Sequence, residues 1–139
     1  GIRDYKVTGV QTCALPIYPY NALPLALAGT LPRLGTTLTL TTTNFPSTGP
    51  VGLQMLGNVG YANGISLAPI GMPGCSQWSE YLVIDTIVPV GGTAQYTLPI
   101  PNTPALVNYA LKAQSAALAP TYNAFQFVVS NGVWMTVGS

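Results

Sequence analysis

The sequence predicts an all-β fold, an antiparallel β-sandwich of about seven to nine short strands. Three observations point there. Apolar residues alternate with polar ones at period two, most clearly in Thr36–Thr43, TTLTLTTT. Gly, Pro and Asn cut the chain into runs about 8–12 residues apart, the spacing of sandwich strands. The runs are rich in Thr, Val and aromatic residues, which suit a pleated, half-buried surface.

The elements follow in order. Pro24–Leu31 is a first strand with Leu25, Leu27 and Gly29 on one face. Thr36–Thr43 turns Leu38 and Leu40 one way and Thr37, Thr39 and Thr41 the other. Asn44–Pro50 is a loop by composition. Val51–Gly57 is a strand with Val51, Leu53 and Met55 on one side. Gly57–Gly64 is turn-rich, and Asn63-Gly64 is the strongest local hairpin signal. Ile65–Ile70 is a short apolar piece before Cys75–Trp78. Glu80–Val88 is a strand that ends at Pro89 and Gly91-Gly92.

Thr93–Leu98 is a strand with Ala94, Tyr96 and Leu98 on one face. Pro99, Pro101 and Pro104 then fix φ and remove backbone donors. Asn102 or Thr103 is placed to cap one helical turn through Val107. Tyr109–Leu118 carries helix formers, so propensity alone favours a helix. It also alternates loosely and its neighbours are strands, so it is assigned as a strand. Ala119–Asn123 connects to a strand at Phe125–Val129. Ser130-Asn131-Gly132 is expected to turn a tight hairpin into the last strand, Val133–Val137.

At 139 residues the chain suits one domain. Only 5% of its residues are charged, where a typical domain has about a quarter. Arg3, Lys6, Arg33 and Lys112 are the whole cationic supply, too few for nucleic-acid phosphates. No apolar run reaches the roughly 20 residues that span a bilayer. The chain does not begin with Met, so it reads as a piece of a longer one. Other domains of a parent chain are the expected partners.

Residues 1–17 differ from the rest and hold three of the seven charges. Val7–Ile17, VTGVQTCALPI, resembles the translation of sequencing-adapter read-through over eleven consecutive residues. On that reading 1–17 is a non-native leader and 22–138 is the sandwich domain. Arg33, Lys112, Glu80 and Asp85 then sum to zero charge, and Cys13 leaves the disulfide count. Cys75 reads as a buried, inert thiol, with a bond to a missing upstream cysteine as the alternative and a Cys13–Cys75 bond chemically permitted but without biological meaning on the adapter reading. Its disulfide state stays open.

Gly74-Cys75, Ile100–Leu106, Gln114-Ser115 and Ser130–Gly132 carry a further resemblance. They resemble marks of a family of uncharacterised domains from planctomycete and myxobacterial secreted proteins. The resemblance covers Ala22–Gly138. It implies a β-sandwich and export, to the cell surface or beyond it, and brings no active site with it. Trp78-Ser79-Glu80 departs from the plain apolar start of the family's strand.

Chemistry has few candidates. Without histidine there is no Ser-His-Asp or Cys-His machinery. Two cysteines and no histidine do not make a closed zinc site. Glu80 and Asp85 are five residues apart, and an extended backbone sets them about 16 Å apart on opposite faces. Calcium bound by those carboxylates and loop carbonyls lacks any loop motif. No catalytic residue, metal or cofactor is therefore assigned.

Sugar binding has the best candidates, Trp78, Tyr81, Tyr122 and Tyr61, whose rings offer flat apolar area. The face that Trp134 presents stays open in the alternation. The expectation is a non-catalytic structural or adhesive module of a secreted or cell-surface protein. The alternative is a carbohydrate-binding module attached to an extracellular enzyme, with polysaccharide as its ligand.

Overall fold

The computed structural model describes residues 4–8, 24–46, 50–120 and 122–139. Most of residues 1–17, Cys13 among them, and Ser47–Gly49 lie outside the described residues. The strands in chain order are β1 (Asp4–Thr8), β2 (Ala26–Gly29), β3 (Thr37–Thr43), β4 (Gly52–Gly57), β5 (Gly60–Ser66) and β6 (Ser76–Ser79). They continue as β7 (Val83–Ile87), β8 (Ala94–Pro99), β9 (Ala110–Leu118), β10 (Phe127–Val129) and β11 (Gly132–Thr136). Every strand pairing is antiparallel, as expected for the all-β sandwich. Asp4–Thr8, within the N-terminal 1–17 segment, pairs with β11 as β1 on the edge of the main sheet.

The main sheet has the order β1-β11-β9-β4-β7, with β10 also on β9. A smaller sheet, β2-β3-β8, covers one face of it. Leu27, Leu38 and Leu40 from the small sheet meet Leu56, Leu111, Ala113, Val133 and Met135 from the main one. Leu38 and Leu40 are fully buried, and each contributes about 2 kcal/mol by leaving water. The third piece, the β5-β6 ribbon, lies on the opposite face of the main sheet. There Trp134 Nε1 donates to Trp78 O (3.2 Å) and Gln114 Nε2 donates to Ser76 O (2.8 Å). Gly60 makes that approach possible, since a Cβ there would stand 2.6 Å from the Trp134 ring.

β9 is a strand despite its helix-forming composition. It pairs with β4 on one edge and with β10 and β11 on the other. Its faces are both covered, one by the small sheet and one by the ribbon. Ala113 and Ala117 are fully buried, and their small side chains let the layers approach. A helix here would give up two ladders of hydrogen bonds, which outweighs a few tenths of a kcal/mol of propensity per residue.

Local expectations fail at four places. Asn63-Gly64 lies inside β5 and does not close a hairpin. The β5-β6 register breaks between Gly60 and Ile65, and Gly64 takes a φ of 68° within that bulge. Ser130-Asn131-Gly132 does not close a hairpin either. β10 and β11 pair with the same edge of β9, so they form one strand interrupted by a bulge. Phe125 stands outside β10 and is half exposed. Finally, Thr103 precedes the 3-10 turn Pro104–Leu106 but makes no side-chain capping bond.

Cys75 is buried, as expected, but is not a thiol. It is disulfide-bonded. No helix among the described residues is long and apolar enough to cross a membrane.

Candidate functional site

Period-two register decides what faces the ribbon. Leu53 pairs with Ala116, Met55 with Gln114, and Ile84 with Met55, so these residues share the outer face of the main sheet. The ribbon covers only part of that face. Beside it lies an apolar cleft of about 280 Å³. Leu53, Met55, Ala116 and Val129 form its floor. Leu67, Met72 and Tyr81 close one side. Ile70, Ile84 and Phe125 stand on its rim, each about half exposed.

The rim is held from two directions. Asn123 Oδ1 accepts from the Gln126 N–H (2.7 Å) and its Nδ2 donates to Phe127 O (2.7 Å). This shapes the loop that carries Phe125, whose ring lies 5.7 Å from that of Phe127. The Phe125 N–H donates to Gly71 O (3.2 Å), which ties this loop to the Leu67–Met72 wall.

Next to the cleft, Gln114 joins four segments while fully buried. Its Nε2 donates to Ser76 O and Ser130 O, both at 2.8 Å. Its Oε1 accepts from the Trp78 N–H (3.1 Å) and the Tyr81 hydroxyl (2.7 Å). All four hydrogen-bonding positions of the amide are used. A second buried chain runs from Gln54 Oε1 through the Ser115 hydroxyl to Thr42. Ser115 has one proton and gives it to Gln54, so Thr42 is the donor to Ser115. That chain joins the two sheets of the sandwich.

The four aromatic candidates are spread between structural contacts. Trp78 is half-buried on β6, with its ring edge against Gly64 and no hydrogen-bond partner for Nε1. Tyr81 lines the cleft and gives its hydroxyl proton to Gln114. Tyr61 is half-buried on β5 and lies close enough to Tyr81 to act on its ionisation. Tyr122 packs against the core cluster around Met72 and Val128. Trp134 faces the ribbon, with the Lys112 ammonium 4.9 Å from its ring centre.

The carboxylates also serve local structure. Glu80 Oε1 accepts from the N–H groups of Asn58 and Val59 and so holds the β4-β5 turn. Asp85 accepts from the Tyr96 hydroxyl (2.6 Å), which bridges β7 to β8. No group of three or more His, Cys, Asp or Glu among the described residues is placed to hold a metal.

Both tyrosines resist ionisation. The hydrogen bond to Asp85 first, then burial and the Asp85 charge, push the Tyr96 hydroxyl up to about 12. Burial, then Tyr61, pushes Tyr81 up as well. The folded state therefore keeps protons that the unfolded chain releases near pH 10. This contribution is intact below about pH 10 and is lost as the pH rises toward about 12. We expect the melting temperature, followed by circular dichroism, to fall across that window. A Tyr81→Phe, Tyr96→Phe double variant should show a shallower fall.

Signals for the cleft were present but incomplete. The alternation of Leu53 and Met55 marks one face, and Phe127 and Val129 another. Nothing in either pattern says that the two runs flank the same central strand. Gln114 was missed as a site residue because a lone Gln in an Ala-rich run reads as solvated. Comparison with protein-family models, with curated proteins and with solved structures gives no match. Fold and site together define an all-β sandwich domain with an apolar cleft on the outside of its main sheet.

Proposed function

We propose that this chain is a non-catalytic binding module of structural or adhesive type in a secreted or cell-surface protein. Its cleft takes an apolar group from a partner. The observation that carries this reading is the cleft's lining, which is apolar throughout. Its volume of about 280 Å³ is near the lower end of ligand pockets. An apolar cavity of about 150 Å³ holds one benzene ring, so this one suits a large side chain or a short hydrocarbon. Sugar hydroxyls would lose their hydrogen bonds to water there without replacement. The carbohydrate-binding alternative rests on Trp78, Tyr81, Tyr122 and Tyr61, whose rings are half-buried.

The test is titration with the uncharged fluorophore N-phenylnaphthylamine. One saturable site is expected. Ala116→Phe fills the floor, and Ile84→Lys places a charge on the rim. Each should weaken binding by about tenfold or more, equivalent to about 1.4 kcal/mol. Ile84 is half exposed, so its replacement spares the fold even if Ala116→Phe strains it. No saturable binding, or binding untouched by either variant, would reject the cleft. Retention on cellulose or chitin that Trp78→Ala removes would favour the carbohydrate module instead.

A further inference from the structure

We propose that β7 and the cleft form one site for an extended peptide, which adds as a strand to the β7 edge and drops an apolar side chain into the cleft. The inference rests on the reading of the cleft as a binding site and names its ligand class.

β7 pairs with β4 on one side and, among the described residues, ends the main sheet on the other. Its outer row of main-chain donors and acceptors is the natural complement of another strand. Both edges of the small sheet differ. In β2, the Leu27 N–H and C=O are both taken by the Asn131 side chain. β8, at the edge of the small sheet, ends in Pro99, which has no donor. β7 has neither a proline nor a lysine, the usual guards of an edge. Its one charge, Asp85, is engaged by Tyr96 across to the small sheet.

The surroundings of β7 are apolar and open. Leu82, Ile84, Val88 and Val90 are 65%, 55%, 65% and 83% exposed. Ile84 belongs to both features, as a residue of the edge strand and as part of the cleft rim. A strand added beside β7 would place every second side chain on the outer face. The side chain beside Ile84 then stands on the cleft's face just outside its rim, and a large one reaches over Ile84 toward the hollow. Main-chain bonds would supply affinity and the cleft would select the side chain.

A second copy is a poorer occupant. Antiparallel pairing of two β7 strands about their middle residue sets Asp85 opposite its copy, and like charges directly opposite are unfavourable. The favoured ligand is an uncharged segment with large apolar residues at alternate positions.

The probe is an acetylated, amidated peptide of about six residues that alternates threonine and phenylalanine, matched to a strand's usual length. Its partner is the same peptide N-methylated at alternate positions, which keeps the side chains and removes main-chain donors. The first should bind, and should slow amide exchange at Val83–Ile87 by about tenfold or more. The methylated form should bind about tenfold more weakly, as loss of two or three main-chain bonds implies. Ile84→Lys should weaken the parent peptide to a similar extent.

Equal binding by both peptides with no protection of β7 overturns strand addition, while saturable fluorophore binding leaves the cleft standing. Failure of peptide and fluorophore together removes both. Protection of β7 that grows with protein concentration and needs no peptide assigns the edge to a second copy and also overturns the proposal.

Discussion

Replacement of Gln114 by methionine should destabilise the fold by roughly 4 kcal/mol or more, a large share of what a domain of this size has. Methionine matches the length of the side chain, so the loss isolates hydrogen bonding from packing. It leaves the carbonyls of Ser76 and Ser130, the Trp78 N–H and the Tyr81 hydroxyl without their partner. Each buried group left bare costs about 1–3 kcal/mol. Gln114→Glu is the sharper probe. A carboxylate still accepts from Trp78 and Tyr81 but turns an oxygen toward two carbonyls. Glu should therefore also destabilise, and less so at a pH low enough to protonate it. Urea denaturation of the three proteins decides the matter. A loss below about 1 kcal/mol for Gln114→Met would mean that the amide is not a structural hub.

Asn131→Ala should cost about 2–4 kcal/mol. Asn131 sits in the bulge between β10 and β11 and is almost fully buried. Its Oδ1 accepts from the Leu27 N–H and its Nδ2 donates to Leu27 O, both at 2.9 Å. The side chain thus behaves toward β2 as one residue of a neighbouring strand would. Without it the middle of β2 is unpaired along that edge, although Leu27 remains in the core. Amide exchange should report the loss at Leu27 before the rest of the small sheet. Asn131→Asp keeps the acceptor for the Leu27 N–H but turns a nearly buried oxygen toward Leu27 O, so it should also destabilise at neutral pH and recover in part when protonated. A uniform change in exchange across both sheets would refute the local role.

Most of the fold was legible because strand faces depend on nearest neighbours in sequence. Leu38 and Leu40 against Thr37, Thr39 and Thr41 is a local pattern, and the burial follows it. Ala94, Tyr96 and Leu98 likewise share the inner side of β8. β9 was legible only by its neighbours, since its own composition favours a helix. The two hairpin signals misled for a common reason. Asn-Gly and Ser-Asn-Gly mark a place where the backbone leaves the regular strand. A turn and a bulge both do that, and the choice depends on which strand lies alongside. For β10 and β11 that strand is β9, which pairs with both.

The candidate site was much less visible. Trp78 and Tyr81 were noticed as aromatic residues, yet each also donates a hydrogen bond to Gln114, Trp78 from its main chain and Tyr81 from its hydroxyl. The cleft draws its lining from β4, β7, β9, β10 and the Leu67–Met72 segment, over 70 residues apart in sequence at the extremes. No short window can contain such a set. Composition, alternation and turn residues determined a sparsely charged all-β sandwich, because those preferences act over a few residues. Strand order, the placing of the ribbon and the meeting of Ile84 with an apolar hollow were decided only in the folded molecule, because they depend on which distant edges pair.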